Sequence, residues 1–593
     1  MSDKWSLKDI YPGFDSPEFK ADFDALGPLV KKMNTLSEKI TSFKDVAAIT
    51  LLIEEFAAKM GRLGALAHYT YTTDTSNPDS SKYMYLLQAF SADANRTRVR
   101  LSAFLAKCDD IPAQGEAHGL GDYVYQMEQM AKRYSHMMSE DEETLVARLA
   151  DTGSAAWNKL HSKLVSTLTC EYADPKEGGR VRTININECR NLAYDPSSDV
   201  RKAAYEAELA AYPKIAEASA AALNSIKGEV NLLSRLRKYD SPLDNTLFES
   251  AMTRETLDAM FKAIDENIHC FRNYMKAKAR YLNKTLGKDY KALPFYEMFA
   301  PVGQSSDKEF TYEEAKAFVA ENFGKFSASM EAVAKQAFDN SWIDVYPYEG
   351  KVSGAFCGSI YAVKQFRILL NYGNSLSDAI TLAHELGHGY HGSQIMNERI
   401  MNTSYPMPLA ETASTFCEMI VTNAALETLP DDAKLQIIEN SLQDATQVIL
   451  DIYSRFLFEK SVFETRADHP LSVDEFNKLM SDAQRTAYGD GMDENFLHPC
   501  MWVIKPHYYS AGRNYYNFPY AFGHLLANGL YKIYESDPGA FGQKYDDFLK
   551  ATGKMSIKDS CGMLGIDVEN PEFWKSAIDV IKGRIEEFEN LTR

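Results

Sequence analysis

The stretch Thr381-Leu-Ala-His-Glu-Leu-Gly-His-Gly-Tyr-His391 contains the pattern His-Glu-x-x-His. Its apolar positions and the lack of proline predict a helix, and Ser377-Asp378 provides an N-cap signal. Side chains four residues apart on a helix lie on the same face, one turn apart. His384 and His388 can therefore reach one cation. Glu385, which follows the first histidine, can bond to water in the site and act as general base.

A third ligand must come from outside this pattern. Catalytic zinc sites commonly have three protein ligands and one open position. The metzincin pattern H-E-x-x-H-x-x-G-x-x-H would supply another histidine, but here His391 stands at the glycine position and Gln394 at the last histidine position. The metzincin class is therefore excluded. We expect His391 to be a packing residue or a hydrogen-bond partner of a ligand.

The stretch Pro408-Leu-Ala-Glu-Thr-Ala-Ser-Thr-Phe-Cys-Glu418 predicts a second helix, which Pro406 and Pro408 start. Glu411 is the predicted third ligand, because the small residues around it indicate close helix packing rather than a free surface. Glu418, two turns later on the same face, is predicted to accept a hydrogen bond from a ligand histidine and so orient its ring. Two histidines, one carboxylate and an open position suit one Zn²⁺ per chain, although cobalt or manganese also suit such a site.

The two stretches together resemble the oligoendopeptidase F branch of the thimet-oligopeptidase-like zinc peptidases. Similar segments run over nearly the whole chain and include Trp5–Tyr11, Trp342–Asp344, Lys351–Phe356, Asn371 and Ala487–Asp490. The resemblance implies a zinc-dependent endopeptidase that hydrolyses internal bonds of short, unstructured oligopeptides. It also implies two helical lobes around a deep substrate cleft.

The aromatic stretch from His507 to Tyr520 is the candidate source of oxyanion donors. Peptide hydrolysis passes through a tetrahedral intermediate that needs such donors, and histidine and tyrosine can both provide them. The resemblance places a histidine followed by a Tyr-Tyr-x-Tyr run here, so that His507 takes this role. The run reads Tyr515-Tyr516-Asn517-Phe518 in this chain, and the departure leaves Tyr515, Tyr516 and Tyr520 as alternatives. Any of the three could instead belong to an aromatic core.

The remaining sequence predicts a mostly α protein with a small β-sheet beside the motif helix. The sheet is predicted from residues 342–371, with strands at Lys351–Phe356 and Gln365–Asn371. Gly354 and Ala355 are small enough to let a substrate backbone approach and pair with an exposed strand edge.

The predicted domain boundary is the loop Glu171–Gly179 or the run that begins at Asp195, and the division is placed at residue 195. Residues 1–195 are predicted to form an N-terminal helical lobe, in which residues 1–20 are an extended arm. Residues 196–593 are predicted to form the catalytic zinc metallopeptidase domain.

Composition limits the possible partners. The 593 residues include 64 Lys and Arg against 83 Asp and Glu, a net charge of -19, which argues against nucleic acid or an anionic membrane as a partner. No apolar run approaches the roughly 20 residues of a membrane span, and the N-terminus has no signal-peptide pattern. The eight scattered cysteines indicate free thiols in a reducing compartment. We therefore expect a cytoplasmic protein, a monomer or simple homo-oligomer, whose partners are oligopeptides.

Two other functions remain open at this point. A protein that binds peptides without cutting them would normally have lost a ligand or the base, whereas all four residues are present here. A metallo-exopeptidase would need a group that recognises a peptide terminus. Arg367, Arg399 and Arg513 are candidates for that role, and the sequence does not decide among them.

Overall fold

The computed structural model describes residues 3–303 and 309–593. Most of these residues lie in α-helices, and the strands form two small sheets. The prediction of a mostly α protein with a small sheet beside the motif helix is confirmed, whereas the cleft between two lobes stays a prediction. No helix in the described ranges is both long enough and apolar enough to cross a membrane.

The helices before the second sheet account for most of the first half of the chain. They are α1 (Pro17–Ser37), α2 (Phe43–Thr73), α3 (Pro78–Leu105), α4 (Ile111–Ala117), α5 (Val124–Ser135), α6 (Glu140–Ala150), α7 (Ser154–Ser166), α8 (Ile186–Asn191), α9 (Ser198–Ala211), α10 (Ala216–Leu236), α11 (Pro242–Glu249), α12 (Arg254–Leu286), α13 (Tyr312–Phe326) and α14 (Ala328–Asp339).

The helices after it run almost to the C-terminus. They are α15 (Leu376–Ile395), α16 (Met407–Thr428), α17 (Asp431–Thr446), α18 (Ile452–Asp468), α19 (Val473–Tyr488), α20 (Met501–Ile504), α21 (Phe518–Ser536), α22 (Pro538–Ala551), α23 (Ile557–Gly562) and α24 (Pro571–Leu591). A π-helical turn, Gln447–Asp451, joins α17 to α18.

The first sheet is an antiparallel hairpin of β1 (Thr169–Asp174) and β2 (Arg180–Asn185). The second sheet contains β3 (Ile343–Asp344), β4 (Phe356–Ile360) and β5 (Gln365–Leu369) in the order β3-β5-β4. The central strand β5 is parallel to β3 and antiparallel to β4. Both β3 and β4 are therefore edge strands of this sheet.

One of the two strand predictions is wrong in position. Residues 351–355 are irregular, and the strand that was expected at Lys351–Phe356 begins only at Phe356. Gly354 explains the difference, because its φ of 87° is incompatible with an extended strand. The other prediction, Gln365–Asn371, agrees with β5 apart from two residues at its end.

The described chain forms two compact units, each assembled from three separate stretches. The first unit comprises Met1–Met137, Asp307–Ala425 and Ile533–Ile566, and the second comprises Met138–Ser306, Leu426–Lys532 and Asp567–Arg593. The predicted boundary near residue 195 lies inside the second unit. The division into domains 1–195 and 196–593 stays a prediction.

Within the first unit, the part of the N-terminal arm that precedes α1 packs through apolar side chains. Trp5, Ile10 and Tyr11 are buried in a cluster with residues of α1 and α2. Arg62 of α2 donates a hydrogen bond from Nε to the carbonyl of Ile10 at 2.9 Å. The arm thus covers apolar surface of α1 and α2, as its hydrophobic residues predict.

Candidate metal centre

The helix α15 carries the His-Glu-x-x-His pattern, and its N-cap lies two residues before the predicted cap. Ser375 is its N-cap, and the Asp378 carboxylate accepts hydrogen bonds from the Ser375 N–H at 2.9 Å and hydroxyl at 2.6 Å. This reciprocal arrangement is a capping box, which satisfies donors at the helix start. Ser377 is therefore inside the first turn, and the cap predicted at Ser377-Asp378 is corrected to Ser375.

A glycine in α15 allows α16 to approach closely. A Cβ atom built on Gly387 would lie 2.7 Å from both the Ala413 carbonyl oxygen and the Ser414 Cα. Only a residue without a side chain fits this contact between two helix backbones. Sequence reasoning did not single out Gly387, although a glycine inside a helix is itself a signal of close packing.

This contact brings Glu411 of α16 to the two histidines of α15. The Nε2 atoms of His384 and His388 lie 3.2 Å apart. Glu411 Oε2 lies 3.4 Å from His384 Nε2 and 3.6 Å from His388 Nε2. In the described part of the chain, these three residues form the one group of histidine, cysteine and acidic side chains close enough to share an ion.

The spacing of the three donor atoms fits a tetrahedral zinc site. Bonds of about 2.0–2.1 Å in tetrahedral geometry place the ligand atoms of such a site about 3.3 Å apart. The observed separations of 3.2, 3.4 and 3.6 Å agree with that value. Two imidazole nitrogens and one carboxylate oxygen are also the donor types of catalytic zinc sites.

The orientation of His384 is set from outside the donor group. Its Nδ1–H donates to Glu418 Oε1 at 2.7 Å, because a carboxylate can only accept. Nε2 of His384 is then left with a lone pair that faces the other two donors. His388 makes a comparable bond to the backbone of Ala410.

Carboxylates dominate the electrostatics of the site. Burial opposes protonation of His384, but the hydrogen bond and charge of Glu418, together with Glu385 and Glu411, raise its pKa to about 9. Burial and the charge of His384 lower the pKa of His388 to about 3. Three carboxylates around two imidazoles therefore create a negative field that favours a cation.

Glu385 is buried beside the donor group, and its carboxyl is incompletely bonded. Its side chain is almost inaccessible, and Oε2 has no hydrogen-bond partner within the described residues. Burial raises the pKa of Glu385 to about 7, while the charge of His384 acts to lower it. A buried carboxylate oxygen without a partner is costly, which points to a ligand or water as its natural partner.

The edge strand β4 lies against α15. A Cβ on Gly392 would meet the Ser359 hydroxyl of β4, and the pKa of the half-buried Cys357 thiol is raised by desolvation and by the charge of Glu385. Just before β4, Gly354 is exposed and Ala355 half-buried. Their loop is held by Asn371 Nδ2, which donates to the carbonyls of Val352 at 3.0 Å and Gly354 at 2.8 Å.

His391 does not face the donor group. Its Nε2 bonds to Thr552 Oγ1 at 2.9 Å, and its ring stacks on Tyr405 with centroids 3.9 Å apart. It is fully buried. His391 is thus a packing residue, one of the two roles expected for it.

The predicted oxyanion donors all belong to the second unit. His507 lies in a short 3₁₀ turn, and burial, with the charges of Arg455 and Lys505, lowers its pKa to about 3. Its Nε2 is buried without a hydrogen-bond partner among the described residues. The imidazole is therefore neutral at physiological pH.

The three tyrosines of this segment differ in their surroundings. The ring of Tyr516 lies 6.5 Å from that of His507, and its hydroxyl is 3.1 Å from that of Tyr520. Tyr515 instead packs on Phe456 and Phe463, at centroid distances of 5.3 and 5.5 Å. The structure groups Tyr516 and Tyr520 together and places Tyr515 in an aromatic core.

The arginines considered for terminus recognition have partners elsewhere or are exposed. Arg367 is buried and donates to the Ser6 carbonyl at 2.8 Å. Arg399 Nε bonds to Glu54 Oε1 at 2.8 Å. Arg513 is exposed and lies over the Tyr516 ring. Arg367 and Arg399 therefore serve the structure of the first unit rather than a ligand.

Comparisons with known proteins point to one family. A family model described as Peptidase family M3 matches residues 191–580, and one described as Oligopeptidase F matches residues 113–169. Oligopeptidase PepF of Bacillus subtilis is 25% identical over 602 residues, which covers 99% of this chain and 87% of the relative. An oligoendopeptidase F homolog of Lactococcus lactis is 27% identical over 486 residues, which covers 80% of this chain and 78% of the relative.

Solved structures share the fold over the full chain. A protein from Chlamydophila abortus superposes with a TM-score of 0.86 at 21% identity and covers 100% of this chain and 99% of its own. Oligoendopeptidase-F from Enterococcus faecium gives a TM-score of 0.70 at 19% identity, with 97% and 98% covered.

Proposed function

The chain belongs to peptidase family M3 and is a metalloendopeptidase, and we propose that it hydrolyses internal bonds of short, unstructured oligopeptides with one zinc ion. His384, His388 and Glu411 would hold the ion. The observation that carries this proposal is the spacing of their three donor atoms, 3.2, 3.4 and 3.6 Å apart, as a tetrahedral zinc site needs. When bound, zinc supplies a Lewis acid that polarises the scissile carbonyl and makes water more acidic.

Glu385 is the proposed general base. Its Oε2 takes a proton from the attacking water and later returns it to the leaving amine nitrogen. The raised pKa of Glu385, about 7, suits a group that must both accept and release a proton near neutral pH. Its burial also excludes bulk water, which strengthens each electrostatic contact in the site.

Glu418 is proposed to position a ligand rather than to bind the ion. By accepting the proton of His384 Nδ1, it holds the imidazole in the tautomer whose Nε2 lone pair faces the other donors. Gly387 has a comparable indirect role, since it permits the backbone contact that brings α16 to α15.

His507 is proposed to donate a hydrogen bond to the oxyanion. A neutral imidazole with a buried, unpartnered Nε2 supports such a role. Tyr516 or Tyr520 is the proposed second donor, because the two hydroxyls are neighbours and Tyr516 lies near His507. Tyr515 is less suitable because of its packing on Phe456 and Phe463.

The edge of β4 that has no partner strand in the described sheet is proposed to pair with the extended substrate backbone. β4 has a partner strand on one side only within the described sheet, and edge strands of this kind bind peptides by strand addition. Gly354 and Ala355 at its start leave room for a backbone, since no atom lies within 4 Å of a Cβ placed on Gly354.

Cleavage of an internally quenched peptide, short and blocked at both ends, tests the proposal. We expect cutting that a zinc chelator abolishes and added zinc restores. Glu385→Gln should bind zinc but lose activity, and Glu411→Ala should lose zinc. Cutting of free but not of blocked peptides would favour an exopeptidase, and chelator-resistant cutting would refute the metal mechanism.

A further inference from the structure

A cavity of about 430 Å³ lies within the second unit. One wall is the face of α9 that presents Arg201, Ala204, Tyr205 and Glu208. The π-helical turn Gln447–Asp451 contributes both of its end residues to another wall. The volume falls within the range of about 300–1,000 Å³ typical of small-molecule sites.

Most of the remaining lining is aromatic or apolar. The side chains with this character include Tyr194, Tyr205, Phe295, Tyr296, Met298 and Phe299. Sites for organic ligands have such a lining together with a few polar groups that fix orientation. The apolar wall therefore suits a ligand with a hydrocarbon or aromatic body.

The basic side chains that line the cavity outnumber the acidic ones. Arg190, Arg201, Arg455 and Lys505 line it, against the carboxylates of Glu208 and Asp451. Even when Glu297, the buried partner of Arg201, is counted, four cations face three carboxylates. Each of the three arginines lies within ion-pair distance of one of these carboxylates, whereas Lys505 has no such partner among the described residues.

Arg455 and Lys505 each have a nitrogen donor without a hydrogen-bond partner among the described residues. Arg455 is paired with Asp451 through its terminal nitrogen, yet its Nε is buried and has no hydrogen-bond partner within the described residues. For Lys505, the structure has no hydrogen bond or ion pair at Nζ in the ranges 3–303 and 309–593. Lys505 is half-buried, and burial together with the charges of Arg455 and Arg190, against Asp451 and Glu208, lowers the pKa of its ammonium group to about 7.

The two carboxylates of the cavity, those of Asp451 and Glu208, already interact with other residues. Asp451 also accepts a hydrogen bond from the Tyr488 hydroxyl at 2.9 Å. Glu208 is bonded by the Tyr212 hydroxyl and lies 3.3 Å from His498 Nε2. A buried donor without a partner is costly, so an anion that accepts a hydrogen bond from Arg455 Nε and pairs with Lys505 would be stabilised here.

The π-helical turn is an independent indication that this region binds a ligand. Single π turns within helices are rare and occur often at functional sites. This one places Asp451 against Arg455 one turn later and puts the Gln447 amide at the cavity.

We propose that this cavity binds a small organic carboxylate with an apolar or aromatic body, whose carboxylate is held by Arg455 and Lys505. The site belongs to the second unit, whereas His384, His388 and Glu411 belong to the first. Its ligand can be a free organic acid or the C-terminal carboxylate of a short peptide, which share this chemistry.

Calorimetric titration of the full chain with N-acetyl-L-phenylalanine tests the proposal. This probe has no bond between two amino acids, so the result does not depend on the proposed peptidase activity. We expect one site per chain and, for the uncharged probe N-acetyl-L-phenylalanine amide, binding weaker by roughly tenfold or more, since charge-assisted hydrogen bonds are lost. Equal binding of acid and amide, or no binding of either, would overturn the proposal.

Two lysine-to-methionine variants, one at a residue that lines the cavity and one at a residue outside it, test the role of Lys505. Lys505→Met should weaken binding of the acid by roughly tenfold or more, whereas Lys202→Met, on the exposed side of α9, should leave it unchanged. Lys505→Met removes a half-buried ammonium group that has no hydrogen-bond or ion-pair partner among the described residues, so the melting temperature of this variant without probe should not fall. Unchanged binding in Lys505→Met would refute the assignment, and the comparison of acid with amide uses the unaltered chain in any case.

A third probe separates the two ligand sources. The free acid 3-phenylpropionate has the same aromatic body and carboxylate but no peptide group. Binding as tight as that of N-acetyl-L-phenylalanine would assign the site to free organic acids. Much weaker binding would assign it to peptide C-termini, whose peptide group the Gln447 amide could bond.

Discussion

Replacement of Glu418 gives the sharpest test of how the donor group is built. Glu418 lies outside the three donors, so it should act on zinc only through His384. Glu418→Gln retains the size and one acceptor oxygen but removes the charge, and Glu418→Ala removes both. We expect zinc affinity to fall in the order wild type, Glu418→Gln, Glu418→Ala.

The size of the effect follows from the contact at 2.7 Å between His384 Nδ1 and Glu418 Oε1. A hydrogen bond to a charged group contributes about 1.5–3 kcal/mol. Because the Glu418 side chain is 36% exposed, solvent screening favours the lower end, about 1.5 kcal/mol, for loss of the charge. This corresponds to roughly tenfold weaker zinc binding in Glu418→Gln, and loss of the whole side chain should approach the upper part of the roughly 10- to 100-fold range for such partners.

Competition with a chromophoric zinc chelator at neutral pH measures the zinc affinity of each variant directly. Glu427→Gln is the matched control, since Glu427 is an exposed carboxylate later in the same helix, and its zinc affinity should equal that of the wild type. If both Glu418 variants bind zinc as tightly as the wild type, the reasoning about His384 is refuted.

Three further outcomes are expected. Glu385→Gln should keep its zinc and lose about 100- to 10,000-fold in kcat, and ordinary turnover in a quenched-peptide assay would exclude it as the base. Gly387→Ala should lower the free energy of unfolding, measured with denaturant, by about 1–3 kcal/mol because its methyl group would overlap the α16 backbone. Gly61→Ala is the control and should be neutral or stabilising, since nothing lies within 4 Å of a Cβ placed on Gly61. Equal effects of the two substitutions would argue against the close contact. Burial acts to raise the pKa of Glu208, but the interaction with His498 lowers this pKa from 4.5 to about 2. The contribution of Glu208 to the free energy of unfolding, about 3 kcal/mol, is therefore present above pH 4.5 and lost as the pH falls towards 2. Urea unfolding at pH 5 and pH 3 should show a smaller loss of stability for Glu208→Gln than for the wild type. Equal losses in the two proteins would contradict this prediction.

Local patterns were enough to predict part of the site. His384, Glu385 and His388 lie on one helix, and the 3.6-residue period relates their spacing directly to a shared face. The approximate positions of helices followed from the same periodicity. The strand expected at Lys351–Phe356 was misplaced because the positive φ of Gly354 depends on a loop held by Asn371, a contact between residues far apart in sequence.

The chain by itself determined the helical class, the histidine pair and its adjacent carboxylate, because each depends on residues within a few positions of one another. Only the tertiary structure decided the distances from Glu411 to the histidines, the packing role of His391 and the grouping of Tyr516 with Tyr520 rather than Tyr515. It also revealed the cavity with Arg455 and Lys505, which no sequence pattern indicated. Each of these depends on how separate helices pack, and packing is set by many weak contacts between distant residues rather than by local spacing.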